Sequence, residues 1–225
     1  MDINESSCLH VRDFDFYTET DEGGGFMPLK YQVPDDKKVR VIVDSDAACE
    51  ADDPFAIAHA LLCDKFIVKA IFAEHFNCEG SMKQSFEEIQ RVVKAMKKEV
   101  LVLMGEIGKL SEKGTGEISE ASSFLIREAL REDDKPLYVL CIGAITNIAS
   151  AIQACPDIVP HMTVVWIGGQ SHEHSTGEVR EFNAGNDIEA ANLVLGSGVR
   201  FWQIPNDVYG SMRISLAEIQ MRVAP

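Results

Sequence analysis

No stretch of the 225-residue chain approaches the roughly 20 consecutive apolar residues that span a membrane. No basic-then-apolar leader opens it either, so neither a transmembrane nor a secretory reading is expected. Positive charge is scarce: 21 Lys and Arg stand against 36 Asp and Glu, a formal net charge of -15. That balance argues against binding nucleic-acid backbones or anionic membrane surfaces, both of which reward Lys and Arg. The six cysteines (Cys8, Cys49, Cys63, Cys78, Cys141 and Cys155) include no CxxC pair. Cys63 and Cys141 sit in apolar patterns as small hydrophobes, and a reducing cytoplasm is the expected home. No Gly-rich phosphate loop opens a helix, so a nucleotide phosphate is not the obvious handle.

What the chain does have is a dense acidic stretch in a telling place. Val39 to Val43 is an apolar, β-branched run of the kind buried on both faces of a parallel sheet. It leads directly into Asp44, Asp46, Glu50, Asp52 and Asp53, and then into Phe55, Ala58, His59 and Leu62 at helical spacing. Open α/β sheets bind their ligands at the carboxyl ends of such strands. Carboxylates this close repel and raise one another's pKa. A cation removes that cost, and an all-oxygen donor set suits a hard ion such as Ca²⁺ or Mg²⁺. The plainer alternative is a solvated acidic loop in which Asp52 or Asp53 caps the following helix.

Residues 1–36 carry nine acids against Arg12 and Lys30, together with Gly23-Gly24-Gly25. They read as a loosely docked acidic lead-in, with Phe14, Phe16 and Tyr17 as candidate anchors. Residues 37–225 read as one α/β domain. Strands are expected at 67–73, 100–103, 137–142, 162–167 and 201–204 after the first. Met82, Phe86, Ile89, Val93 and Met96 mark an amphipathic helix, and further helices are expected over 118–130, around Ile145, Ile148 and Ile152, over 188–195 behind an Asp187 cap, and from Ser215 onward. Strands separated by helix-length segments mean right-handed crossovers. The fold class is therefore α/β, an open, mostly parallel, Rossmann-like sheet with helices on both faces.

In such a sheet the residues just after each strand converge along one edge. Here these are the acidic loop, Glu74-His75-Phe76-Asn77, Gly143-Ala144-Ile145-Thr146-Asn147, Gly168-Gly169, and then Glu181-Phe182-Asn183. Carboxylates and amides gathered beside a cation suit a polyhydroxylated ligand, whose hydroxyls need donors and acceptors in fixed places. Taken in order from about Val39 to Ser215, these stretches resemble the inosine–uridine-preferring nucleoside hydrolase family. The resemblance rests on Asp44-x-Asp46…Asp52-Asp53, Asn77, Gly143-Ala-Ile-Thr-Asn-Ile-Ala149, Trp166-Ile-Gly-Gly169, and Glu181-Phe-Asn183 followed by Asp187-Ile-Glu-Ala-Ala191.

The resemblance implies a Ca²⁺-dependent hydrolase that cleaves the N-glycosidic bond of ribonucleosides and works as a homo-oligomer. Carried over by position, Asp46, Asp53 and the Thr146 carbonyl would hold Ca²⁺, and Asp46 would be the general base toward the attacking water. Asp52, Asn77, Glu181 and Asn183 would take the ribose hydroxyls, and Asp44 would brace the acidic loop. Asn77 and Asn147 could instead cap helices, with capping favoured for Asn147. Phe182 and Trp166 read as packing or pocket wall.

Some positions depart from the family pattern. Five residues separate Asp46 from Asp52, as in a longer-loop branch, and Cys49 stands where that branch has Asn. Ile167 replaces the family's loop Met, and Ser175 its pocket Asn. No His follows His174, so the family's late His-Asp pair has no counterpart before Pro225. On that ground the chain is expected to cover about the first two-thirds of the family fold, with apolar sheet surface left for a second copy or another partner chain to cover. An acid for the leaving base would then come from His172 or His174, although a His-x-His on a polar loop is ordinarily just solvated. The alternative functions are a weak or inactive ribosyl-binding or interaction protein and, more remotely, a phosphatase with Asp44 as nucleophile.

Overall fold

The computed structural model describes residues 32–112, 118–171 and 181–222. Six strands form one sheet: β1 (Val39–Ser45), β2 (Phe66–Ala73), β3 (Val102–Met104), β4 (Leu137–Cys141), β5 (Met162–Ile167) and β6 (Arg200–Ile204), in the spatial order β3-β2-β1-β4-β5-β6. Every pairing is parallel, so the open parallel sheet read from the sequence is the observed one. The main helices are α1 (Asp52–Leu62), α2 (Ser81–Ala95), α3 (Glu120–Ala129), α4 (Thr146–Ala154), α5 (Phe182–Asn186) and α6 (Ile188–Gly196), followed by the short α7 (Asn206–Tyr209) and by α8 (Leu216–Arg222).

Two cores follow from the period-2 alternation of strand side chains. Ile42, Phe72, Val139, Cys141, Val164 and Trp166 point to one face and pack against apolar residues of α3, α4 and α6. Val41, Val43, Ile71 and Ala73 point to the other, against Ile57 and Ala60 of α1 and Met82, Ile89 and Val93 of α2. Helices on both faces are what make β1 apolar along its length rather than alternating. Strand order reverses at β1, which has β2 on one side and β4 on the other. That reversal opens a crevice at the carboxyl ends of β1 and β4, the place where such sheets take ligands. In register, Asp44 lies beside Phe72 of β2 and Cys141 of β4.

At the opposite end of β1 the chain buries an ion pair. Arg40 donates through one guanidinium nitrogen to the Glu128 carboxylate at 3.0 Å and to the Glu128 carbonyl at 2.9 Å. Its Nε donates to the Lys135 carbonyl.

Gln32–Ser211 form one compact unit, which carries the sheet, and the described residues from Met212 onward belong to a second. In the second, Ser215 opens α8 as the sequence suggests. Its hydroxyl accepts from Glu218 N while the Glu218 carboxylate accepts from Ser215 N, a reciprocal cap. Among the described residues no helix is long and apolar enough to cross a membrane. The helices α5 and α7 were not legible beforehand, being five and four residues long and without an amphipathic period.

Candidate active site

Asp44 and Ser45 end β1 and, one residue apart, face opposite sides of the sheet. Asp44 points toward α4, where its Oδ1 accepts from Asn147 Nδ2 at 2.8 Å. Ser45 points toward α1, and its hydroxyl donates to Asp53 Oδ1. The chain then turns, the Asp46 carbonyl accepting from Cys49 N at 2.7 Å. Ala51 precedes α1 without a side-chain cap, so Asp52 and Asp53 are its first two residues and neither is the cap that the plainer reading expected. Asp53 turns inward and is buried, while Asp52 is exposed at the rim.

Four carboxyl groups are thus taken out of water at the switch point: Asp44, Asp46, Asp53 and, from the end of β2, Glu74. Burial pushes Asp46 up to about 8, with the charge of Asp53 adding to the shift. Burial likewise pushes Asp53 and Asp44 up to about 7. Glu74 is raised by burial and then by Asp44, although two backbone donors, Asn147 N at 3.0 Å and His75 N at 3.1 Å, partly offset this. Among the described residues, Asp44 Oδ2 and Asp46 Oδ2 are buried without a hydrogen-bond donor. Buried anionic oxygens with no donor are expensive, and a cation or a bound water is the ordinary remedy. All the candidate donors are hard oxygens. Among the described residues no three Asp, Glu, His or Cys side chains form a metal-holding group on their own. A cation here would need backbone oxygen and water besides these carboxylates, an all-oxygen set of the kind a hard ion takes.

The β4–α4 loop closes over this cluster. A Cβ on Gly143 would lie 3.2 Å from Asp46 Cγ and from Glu74 Cγ, so glycine is what lets the loop approach. Trp166 Nε1 donates to the Gly143 carbonyl at 2.9 Å and pins it, so Trp166 does more than line a wall. Ile145 takes φ 68, unusual for a β-branched residue, immediately before Thr146 opens α4. Asn147, expected from the sequence to cap the helix, instead lies inside it and serves as the hub of the site. Besides its bond to Asp44, its Oδ1 accepts from Glu106 N at 2.7 Å, and its carbonyl accepts from the Ser122 hydroxyl at 2.9 Å. The side-chain bond of Asp44 therefore reaches α4, where the sequence had it bracing the acidic loop.

Glu181 caps α5 and is the most heavily engaged carboxylate of the site. Oε1 accepts from Asn183 N (3.0 Å) and the Tyr209 hydroxyl (2.7 Å); Oε2 accepts from Gly169 N (2.6 Å) and Ala184 N (2.9 Å). Asn183 is half-buried and its side chain donates to the Ile167 carbonyl at 2.9 Å, at the end of β5. Asn77 is exposed in the loop after β2. Asp187 caps α6 through Ala190 N, as expected, and also accepts from the Thr146 hydroxyl at 2.8 Å. His172, His174 and Ser175 lie outside the described residues. Sequence reasoning left Glu74, His75 and Tyr209 without roles. The first two stand in a strand-end stretch that was noticed, and a signal for Tyr209 was absent because α7 was not foreseen.

A buried carboxylate cluster at the switch point of a parallel sheet lies where such folds take their ligands. The chain belongs to the inosine-uridine preferring nucleoside hydrolase family, whose model matches residues 41–224. The non-specific ribonucleoside hydrolase RihC of Escherichia fergusonii is 36% identical over 91 residues, covering 40% of this chain and 30% of that protein. Among solved structures, an inosine-guanosine nucleoside hydrolase superposes with a TM-score of 0.60 at 24% identity, covering 74% of this chain and 59% of the other. A purine-preferring ribonucleoside hydrolase from Gardnerella vaginalis gives a TM-score of 0.64 at 23% identity, covering 80% and 65%. The match thus spans under a third of the curated relative and about six-tenths of the solved ones.

Proposed function

We propose that the protein hydrolyses the N-glycosidic bond of a ribonucleoside to ribose and a free base, with Asp46 as the general base. The observation that carries this reading is Asp46 Oδ2, buried without a donor beside Asp53 in a member of a nucleoside hydrolase family. Without a cation, burial pushes Asp46 up to about 8 and keeps it mostly protonated at neutral pH; a cation beside it would lower that value and free the carboxylate to accept a proton from a water. Asp52 and Asn77 at the rim, with Asn183 and Glu181 on the β5 side, would take the ribose hydroxyls. The four donors on Glu181 suit it to hold Asn183 and the Gly169 turn in place as well. Positive charge developing on the sugar in an oxocarbenium-like transition state would be stabilised by the carboxylates beneath it.

Asp46, Asp53 and the Thr146 carbonyl are the groups that would hold Ca²⁺. When bound, the ion would neutralise the cluster and acidify a water. The phosphatase alternative is disfavoured, because Asp44 is fully buried and presents no surface to a phosphate ester. The test is release of ribose from inosine and from uridine by the full chain. Activity should fall by roughly 10²- to 10⁴-fold in Asp46→Ala, the usual worth of a general base, and should vanish on chelation. Nucleoside-dependent thermal stabilisation without ribose release would favour the ribosyl-binding alternative instead.

A further inference from the structure

His75 ends up with no exposed surface just beyond β2, and none of the chemistry above uses it. Its two ring nitrogens have partners of opposite kind. Nδ1 lies 3.2 Å from the backbone N of Asn77. A backbone N–H can only donate, so Nδ1 carries a lone pair and the ring proton is on Nε2. Nε2 lies 2.9 Å from Thr146 Oγ1 and therefore donates to it. The Thr146 hydroxyl must then spend its own proton elsewhere, and it does so on Asp187 Oδ2 at 2.8 Å. Asp187 is itself fixed by Leu110 N on Oδ2 (2.7 Å) and Ala190 N on Oδ1 (3.0 Å). Another buried carboxylate, Glu74 Oε1, is 3.6 Å from Nε2, beyond hydrogen-bond reach, and already accepts from His75 N. The string Asp187–Thr146–His75–Asn77 thus has one polarity from end to end, with an anion at its root and a backbone donor at its tip.

The tip is where the string has something to hold. Asn77 takes φ 58, a left-handed conformation that Asn adopts more readily than most residues but still at a cost. It does so in an exposed loop, where its backbone N donates to the buried His75 Nδ1 at 3.2 Å. We propose that His75 is a positioning residue. Aimed by Asp187 through Thr146, its neutral imidazole holds Asn77 in the left-handed conformation and so sets the direction of the amide that meets the ribose. The ribose end of this inference rests on the nucleosidase reading above; the hydrogen-bonded string does not. Thr146 also offers its carbonyl to the cation in that reading.

The test uses the full chain and two near-isosteres. His75→Asn keeps an acceptor close to the place of Nδ1 and gives up the Nε2 donor, whereas His75→Gln keeps a donor close to Nε2 and gives up the acceptor. Long-range proton–nitrogen NMR of the unsubstituted protein should report the Nε2-protonated tautomer, and the Asn77 amide should be protected from exchange. In His75→Gln that protection should be lost and KM for the nucleoside should rise about five- to tenfold, the worth of one hydrogen bond, with kcat changed less. His75→Asn should keep KM closer to the unsubstituted value even where its thermal midpoint is lower. An Nδ1-protonated ring, an unprotected Asn77 amide, or equal KM changes in the two variants would overturn the proposal. If no nucleoside is hydrolysed at all, the nucleosidase reading fails, and the tautomer and amide measurements still decide the role of His75.

Discussion

The Asn147 side-chain amide meets Asp44 Oδ1 at 2.8 Å, joining two positions 103 residues apart in sequence. The bond ties the end of β1 to the first turn of α4 and gives a fully buried carboxyl its hydrogen-bonded partner. The same amide group reaches the Ala73 carbonyl at 3.3 Å, and its oxygen takes Glu106 N, so β2 and the loop after β3 are joined as well. Removing it should strand several buried polar groups at once, each costing about 1–3 kcal/mol. Asn147→Ala is therefore expected to lower unfolding stability by about 2–4 kcal/mol in urea, well above the loss from an exposed substitution.

How much of this was visible in the chain itself depends on range. The sheet was legible because β1, β2, β4 and β5 are apolar runs with helix-length spacers, a local pattern that fixes strand type without reference to anything distant. The acidic loop was legible for the same reason: five carboxylates in ten residues directly follow a buried strand. Asn147 was not. A residue at the start of a helix reads as a cap, and only the β1–β4 pairing reveals that Asp44 lies within reach of it. Glu181 shows the converse, since a residue picked out as a ligand contact is also an N-cap with four donors, two of them local backbone groups unmarked by composition. Ordering along a sheet edge could be anticipated; hydrogen bonds between that edge and the helices behind it could not.

Acidity should control stability, and in the unusual direction. Asp44, Asp46 and Asp53 have folded-state pKa values of about 7, 8 and 7, above the ordinary carboxylate value near 4. Between pH 4 and pH 8 the folded chain therefore binds more protons than the unfolded one. By linkage, stability present at low pH is lost as pH rises through that window. Without divalent ions, the thermal midpoint should fall by roughly 5 °C or more between pH 5 and pH 8, corresponding to about 2 kcal/mol at this size. Millimolar Ca²⁺ should restore it at pH 8 and do little at pH 5, where protons already neutralise the cluster. A scanning-fluorimetry series in pH and Ca²⁺ checks both arms, and a midpoint that climbs with pH in chelator would contradict the cluster's buried charge.

Gly143 should matter more to the site than to the fold. An added methyl would meet Asp46 and Glu74 side-chain atoms at 3.2 Å, close enough that the carboxylates must move by tenths of an ångström but not so close as to prevent folding. Gly143→Ala is expected to cost about 1 kcal/mol of stability, the ordinary size of a single substitution. It should weaken the Ca²⁺-dependent rise in midpoint and lower ribose release by at least an order of magnitude. A displacement of about 1 Å at a reacting group can cost ~10²-fold in rate. Unchanged Ca²⁺ response with unchanged turnover would show that the loop does not set the position of Asp46.

The far end of β1 offers the complementary case, a large effect on stability with none on the site. Arg40 and Glu128 are both buried, and their 3.0 Å contact lies at the amino-terminal edge of the sheet, opposite the carboxylate cluster. Removing one partner of a buried pair leaves the other's charge uncompensated, typically at about 3–5 kcal/mol. Arg40 keeps Asp133 at 3.8 Å and two backbone carbonyls, so the cost of Glu128→Ala should sit at the lower end, about 3 kcal/mol. The expected result is an earlier urea midpoint with an unchanged KM and an unchanged Ca²⁺-induced stabilisation at temperatures where the variant remains folded. Loss of ligand or cation response in this variant would mean that strain at one end of β1 reaches the carboxylates at the other.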